Sequence, residues 1–187
     1  DRHHLLGEVH LVAGGRSGAA AAADALAGPA PVVAAGGEIL KFIGDAMLAI
    51  FPVTDDAGPA GPCGRALKAA QAALEGLERL NAEQARVGGP TLKIGVALHH
   101  GEVLYGNIGA QSRLDFTVIG ASVNEVCRVE SLCKPLGVPV LVTSAFASTC
   151  SSVGQKLVSL GSHSLKGVSA PIEVFTLVQY ATKQSEK

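Results

Sequence analysis

The chain has 187 residues, is 48% hydrophobic and 17% charged, and carries a formal net charge of -1. That length suits one domain with a core of its own, and that hydrophobicity excludes disorder over most of it. The near-neutral charge leaves no basic footprint for nucleic acid and no polybasic patch for a membrane surface.

The alanine-rich window "GAAAAADALAGPAPVVAAGG" is broken by Asp24, Gly28, Pro29 and Pro31, so it makes a poor membrane-spanning helix. The cysteines, Cys63, Cys127, Cys133 and Cys150, show no C-x-x-C spacing, which argues against zinc and against a redox pair. The expectation is free thiols in a reducing cytoplasm. The first residue is Asp1 rather than methionine, as expected of a fragment of a longer protein.

Residues 1–35 follow no clean hydrophobic period; an Ala-rich helix near 18–27 is the one element propensity supports. "EILKFI" and "MLAIFP" then predict two strands joined by Gly44-Asp45, a hairpin turn signal. Alternation places Lys41 with Ile39 and Ile43, away from Leu40 and Phe42. "TDDAGPAGP" is a loop. Residues 64–85 predict an amphipathic helix, with Leu67, Ala70, Leu74 and Leu77 on one face and Lys68, Gln71, Glu75 and Glu78 on the other.

"TLKIGVALHHG" and "EVLYGNIG" predict a second pair of strands meeting near His100-Gly101, followed by a short strand, "RLDFTVIG". "ASVNEVCRVESLCKPLG" predicts a helix stopped near Pro135 and Gly137, and "VPVLVT" a buried strand. "SAFASTC" is a short helix, "KLVSLGSHSLKG" and "APIEVFTLVQY" are closing strands, and residues 179–187 form a polar tail. Strands joined by tight turns and interleaved with helices imply an α+β or mixed α/β sandwich rather than a doubly wound parallel sheet.

Three groups of side chains could carry chemistry. Asp45 at a turn is either good turn chemistry or a hard oxygen ligand for Mg²⁺. Lys41 is either a snorkelling edge lysine or a contact to something outside the chain. Asn124 and Arg128, at i and i+4, share a helix face; they offer an amide and a guanidinium fork to phosphate or ribose oxygens, or form a solvated stripe with Glu125 and Glu130. His99 and His100 are adjacent on a strand and point to opposite faces, so one metal would rarely see both. No G-x-S-x-G elbow and no Walker A loop is present.

In order, "GGEILKFIGDAMLAIF", "LKIGVALHHGEVLYGNIG", "RLDFTVIGASVNEVCRVESL" and "LKGVSAPIEVFTL" resemble the catalytic domain of class III nucleotide cyclases, over residues 36–178. The K-x-I-G-D hairpin and the T-V-I-G-x-x-V-N-x-x-x-R segment are the most specific parts. The resemblance implies a ferredoxin-like α/β core and a head-to-tail homodimer with ATP at its interface. It implies that Asp45 is one of two metal-binding aspartates for two divalent ions, Mg²⁺ or Mn²⁺. Lys41 and Thr117 match positions that recognise the purine, Asn124 and Arg128 the pair that orients the ribose and stabilises the transition state, and Lys166 a position that can contact the triphosphate. The implied reaction is ATP to 3′,5′-cyclic AMP and pyrophosphate.

One feature departs from the family. Its first metal aspartate lies a few dozen residues before the Gly-Asp hairpin, in a D-x-x-G-F-T-like motif. Asp1 falls at about that distance, but "DRHHLLGEV" lacks the Phe-Thr that should follow. The alternative expectation is therefore a catalytically impaired, ATP-binding regulatory module that lacks this carboxylate.

Overall fold

In a computed structural model the structure describes residues 6–15, 31–43, 46–52, 61–110, 113–149 and 156–181, with the backbone alone for 6–15, 43, 104–110 and 113–119. The strands are β1 (Leu6–Gly15), β2 (Glu38–Ile43), β3 (Ala46–Pro52), β4 (Ile94–Ala110), β5 (Arg113–Ile119), β6 (Val140–Thr143), β7 (Leu157–His163) and β8 (Ile172–Leu177). The helices are α1 (Pro31–Ala34), α2 (Pro62–Arg86), α3 (Ala121–Leu132), α4 (Ser144–Thr149) and α5 (Val178–Ala181). Among the described residues the strand order is β2-β3-β1-β4-β6-β8-β7, with β5 paired to β4 off that path. Every pairing is antiparallel except β4 with β6, whose connection runs through α3.

Alternation along the central strands sends apolar side chains to both faces of the sheet. Phe51, Val96, Leu98, Val140 and Val142 pack with Leu67, Ala70, Leu74 and Leu77 of α2, the stripe that the helical period marks out. Leu48, Ala97, Leu141 and Val174 pack on the other side with Val126, Val129 and Cys133 of α3. The result is a mixed α/β sandwich with a helix layer on each face. Pro62 opens α2 where its missing N–H costs nothing, and Asn81 bonds the Leu92 N–H (2.8 Å) and carbonyl (2.9 Å), fixing the return into β4.

The structure corrects several expectations. β1 is a central strand inside the region that shows no period; the proposed helix at 18–27 and the turn Gly44-Asp45 lie outside the described residues. There is no turn at His100-Gly101: β4 runs unbroken for 17 residues, its first half in the main sheet and its second half paired with β5. Cys63 is disulfide-bonded rather than a free thiol, whereas Cys127 and Cys133 are free. Among the described residues no helix is long and apolar enough to cross a membrane.

The hairpin holds a further correction. Ile39 pairs with Ala49 but Lys41 pairs with Leu48, so Leu40 is the extra residue of a β-bulge. Residues directly paired across strands share a face. Ala49 belongs to the α2 side and Leu48 to the α3 side. The bulge thus carries Lys41 to the α3 side, away from Ile39, where strict alternation had placed it.

Candidate active site

Helix α3 begins directly after β5, and Gly120 carries the chain between them. Its apolar residues Val126 and Val129 are buried, which leaves Asn124 and Arg128 exposed on its outer face, one turn apart as their spacing predicts. Lys41 is exposed on the edge strand β2, on the same side of the sheet. Lys166 is exposed in the turn between β7 and β8; its neighbour Leu165 is buried in the α3-side core, so this turn also belongs to that side. Thr117 lies on β5 opposite Gly106 of β4, with its backbone alone described. Asp45 and Asp1 lie outside the described residues.

Within one chain these residues are spread rather than gathered. Three strand spacings, about 14 Å, separate β2 from β4, beneath α3. Neither Lys41, Asn124 nor Arg128 takes part in an ion pair or side-chain hydrogen bond among the described residues. Lys41, Asn124, Arg128 and Lys166 are thus held exposed on one side of the sheet.

The family's metal ions can be tested against β1. This strand pairs antiparallel with β3, and Gly14 faces Ala46, the residue after the Gly44-Asp45 turn. The residues of β1 at that end are Val12, Ala13, Gly14 and Gly15, none of which has a side chain that can ligate a metal. Glu8 faces Pro52, at the other end of the pairing. Among the described residues no three His, Cys, Asp or Glu side chains gather as a metal site. At its Gly14 end β1 supplies no carboxylate for a metal ion.

A polar cluster that no sequence motif announces lies under α3. His99 of β4 is buried, with Nδ1 3.0 Å from Thr143 Oγ1 and Nε2 3.6 Å from Glu125 Oε2. The Phe146 N–H donates to the same threonine oxygen at 3.3 Å. The hydroxyl hydrogen of Thr143 is then free to go to Nδ1, an arrangement in which the imidazole proton sits on Nε2, facing the carboxylate. Burial, with a smaller contribution from His100, lowers the His99 pKa to about 4, so the ring is neutral near pH 7. Beside it, a Cβ on Gly101 would lie 2.8 Å from His99 Nε2 and 2.9 Å from Ser122 Cβ, and closer still to Ser122 Oγ. That glycine is required by the close approach of α3, not by a turn. The Cys127 thiol, beside Arg128, is pushed up by burial and then by Glu130, against a lowering by Arg128, so it is no ready nucleophile.

The adenylate and guanylate cyclase catalytic domain model matches residues 33–179. The chain belongs to this family. Its fold is the class III cyclase core: it superposes on the adenylyl cyclase CyaB from P. aeruginosa with a TM-score of 0.72 at 23% identity, covering 95% of this chain and 96% of that one. The guanylyl cyclase Cya2 matches with a TM-score of 0.70 at 23% identity, over 94% of this chain and 93% of that one. An adenylate cyclase of Anabaena cylindrica is 35% identical over 111 residues, 59% of this chain, and adenylate cyclase 1 of Rhizobium meliloti is 32% identical over 149 residues, 79% of this chain. The match spans 22% of the length of each of these two relatives.

Proposed function

We propose that this cyclase domain is an adenylate cyclase, converting ATP to 3′,5′-cyclic AMP and pyrophosphate at the interface of a head-to-tail homodimer. The observation that carries the reading is the bulge at Leu40, which sets Lys41 on the same side of the sheet as the exposed Asn124 and Arg128. Lys41, Thr117, Asn124 and Arg128 form an open half-site on one side of the sheet, and a second copy completes it by bringing Asp45 to it. The catalytic unit we assign is residues 36–178, working in the cytoplasm, where ATP is supplied.

The reaction is an in-line displacement. The ribose 3′-oxygen forms a bond to the α-phosphorus, the bond to the bridging oxygen of pyrophosphate breaks, and the 3′ proton is released. Asn124 orients the ribose. Arg128 meets the negative charge that grows on the α-phosphate, and its loss costs on the order of 10²-fold in turnover. Lys166 contacts the triphosphate. Asp45, with the phosphate oxygens, would hold a divalent ion, Mg²⁺ or Mn²⁺, which when bound neutralises phosphate charge.

Base choice rests on hydrogen-bond complementarity. Adenine offers an acceptor at N1 and a donor at its amino group; guanine offers the reverse. The ammonium of Lys41 only donates and therefore suits adenine N1, while the hydroxyl of Thr117 can accept from the amino group. The names of the Anabaena and Rhizobium relatives support the same choice.

Mixing inactive Asp45→Ala chains with inactive Arg128→Ala chains tests the reading. Each mixed dimer should regain one intact site, whereas Lys41→Ala mixed with Arg128→Ala should regain none, because both residues lie in the same half-site. Failure of the first mixture to make cyclic AMP, with subunit exchange verified, would count against the head-to-tail arrangement. Wild-type protein that binds ATP but yields no cyclic AMP with Mg²⁺ or Mn²⁺ would be a non-catalytic module.

A further inference from the structure

The site reading leaves a carboxylate to explain. Glu125 sits next to Asn124 and three residues before Arg128 on α3, on the helix proposed to meet a polyanion. Residues at i and i+3 on a helix are neighbours, and a carboxylate there is a ready ion-pair partner for a guanidinium. In the structure Glu125 turns instead toward the buried His99, with Oε2 3.6 Å from Nε2, and Arg128 has no ion pair among the described residues.

We propose that His99 is a positioning residue that holds the Glu125 carboxylate inward, so that Arg128 stays available to substrate phosphate. Thr143 sets the tautomer: by donating to Nδ1 it keeps the proton on Nε2, and that N–H attracts the carboxylate. Had the proton been on Nδ1, a lone pair would face Glu125 and drive it outward, toward Arg128 and the site. The half-buried position of Glu125, 29% exposed, limits the solvent screening that would otherwise make this choice unimportant. The inference rests on the reading of Arg128 as a group that contacts substrate.

The test measures cyclic AMP formation from ATP at low ionic strength in full-length chains. His99→Leu removes the N–H donor and should lower kcat/KM by about threefold to fivefold, the upper end of what a competing surface ion pair supplies. Adding Glu125→Gln to that chain should restore activity to within about twofold of Glu125→Gln alone. A loss of packing at His99 would not be repaired by neutralising Glu125, so a double variant no better than His99→Leu overturns the proposal. Thr143→Val gives an independent route should His99→Leu fold poorly, since losing the hydroxyl frees Nδ1 to take the proton. It should show the same loss and the same repair by Glu125→Gln; loss without repair again overturns the proposal. Arg128→Ala in the same assay separates the two ideas: full activity there refutes the site reading itself, whereas an inactive Arg128→Ala with no repair refutes only the role of His99.

Discussion

His99 should make the stability of this domain fall in mild acid, and replacing it should remove that fall. Its usual pKa of 6.5 is lowered to about 4 in the folded chain, first by burial and second by His100. Between those values the unfolded chain binds a proton that the folded chain does not, so stability is fully present above pH 6.5 and is lost as pH falls toward 4. Linkage gives a loss of about 1 kcal/mol at pH 6, about 2 at pH 5, and roughly 3 once both states are protonated. A midpoint shift of about 1 M urea at pH 5 corresponds to this, for a urea slope of about 2 kcal/mol per M. The perturbation is His99→Gln, which keeps a polar side chain but cannot titrate. Urea melts of wild type and variant at pH 7, 6, 5 and 4 give the difference of the two pH profiles, in which other carboxylates and histidines cancel. Any offset in stability at pH 7 is irrelevant; what matters is that the variant's profile is flatter. Two parallel profiles would show that the ring protonates in the folded state near its usual pKa, and the buried neutral imidazole would be wrong.

Three other substitutions check the geometry around α3 and the hairpin. Gly101→Ala should cost about 1–3 kcal/mol, because the new methyl group meets His99 and Ser122. Urea melts should show Ser122→Ala recovering part of that loss by removing the nearest atom; no recovery would mean that α3 does not approach β4 as closely as the structure places it. Lys41→Glu should reverse the hydrogen-bonding preference at the base, lowering cyclic AMP formation by about 10²-fold or more while raising cyclic GMP formation from GTP. An unchanged ratio of the two products, separated by chromatography, would remove Lys41 from base recognition.

Much of the architecture is written in local pattern. The 3.6-residue period of α2 names its buried stripe, and two short apolar runs on either side of Gly44-Asp45 name the β2–β3 hairpin. β1 lies between β3 and β4 with neighbours on both edges, and its sequence, LGEVHLVAGG, alternates polar and apolar only over Glu8–Leu11 before running into Val12, Ala13 and two glycines, too short a signal to mark a strand. The false turn at His100-Gly101 has a different cause. Glycine beside polar residues is turn chemistry in a local reading, but here it answers a tertiary demand, room for Ser122 and His99 beneath α3. The His99–Glu125 contact was equally out of reach: the partners are 26 residues apart (125 minus 99), on different elements, and neither belongs to a spacing that signals chemistry.

The bulge at Leu40 is the point where local pattern and function separate. Nothing in "EILKFI" marks a bulge, since none of its residues is a glycine. Strict alternation would have put Lys41 beside Ile39 over the α2 core, and Lys41 would then have been an edge lysine covering apolar surface. One extra residue turns it to the α3 side without moving Ile39 from its own core, because Glu38 and Ile39 keep their partners Ile50 and Ala49. The hairpin thus satisfies both demands at once: its outer half packs as the hydrophobic pattern requires, and its inner half turns a lysine to the side that carries Asn124 and Arg128. The register of Lys41 runs through Phe42 opposite Met47 to Ile43 opposite Ala46, a three-residue ladder ending two residues before Asp45 in sequence. In a head-to-tail dimer that rigid stretch would span two sites, its lysine serving one and its aspartate the other, and a change in the turn would be felt at both.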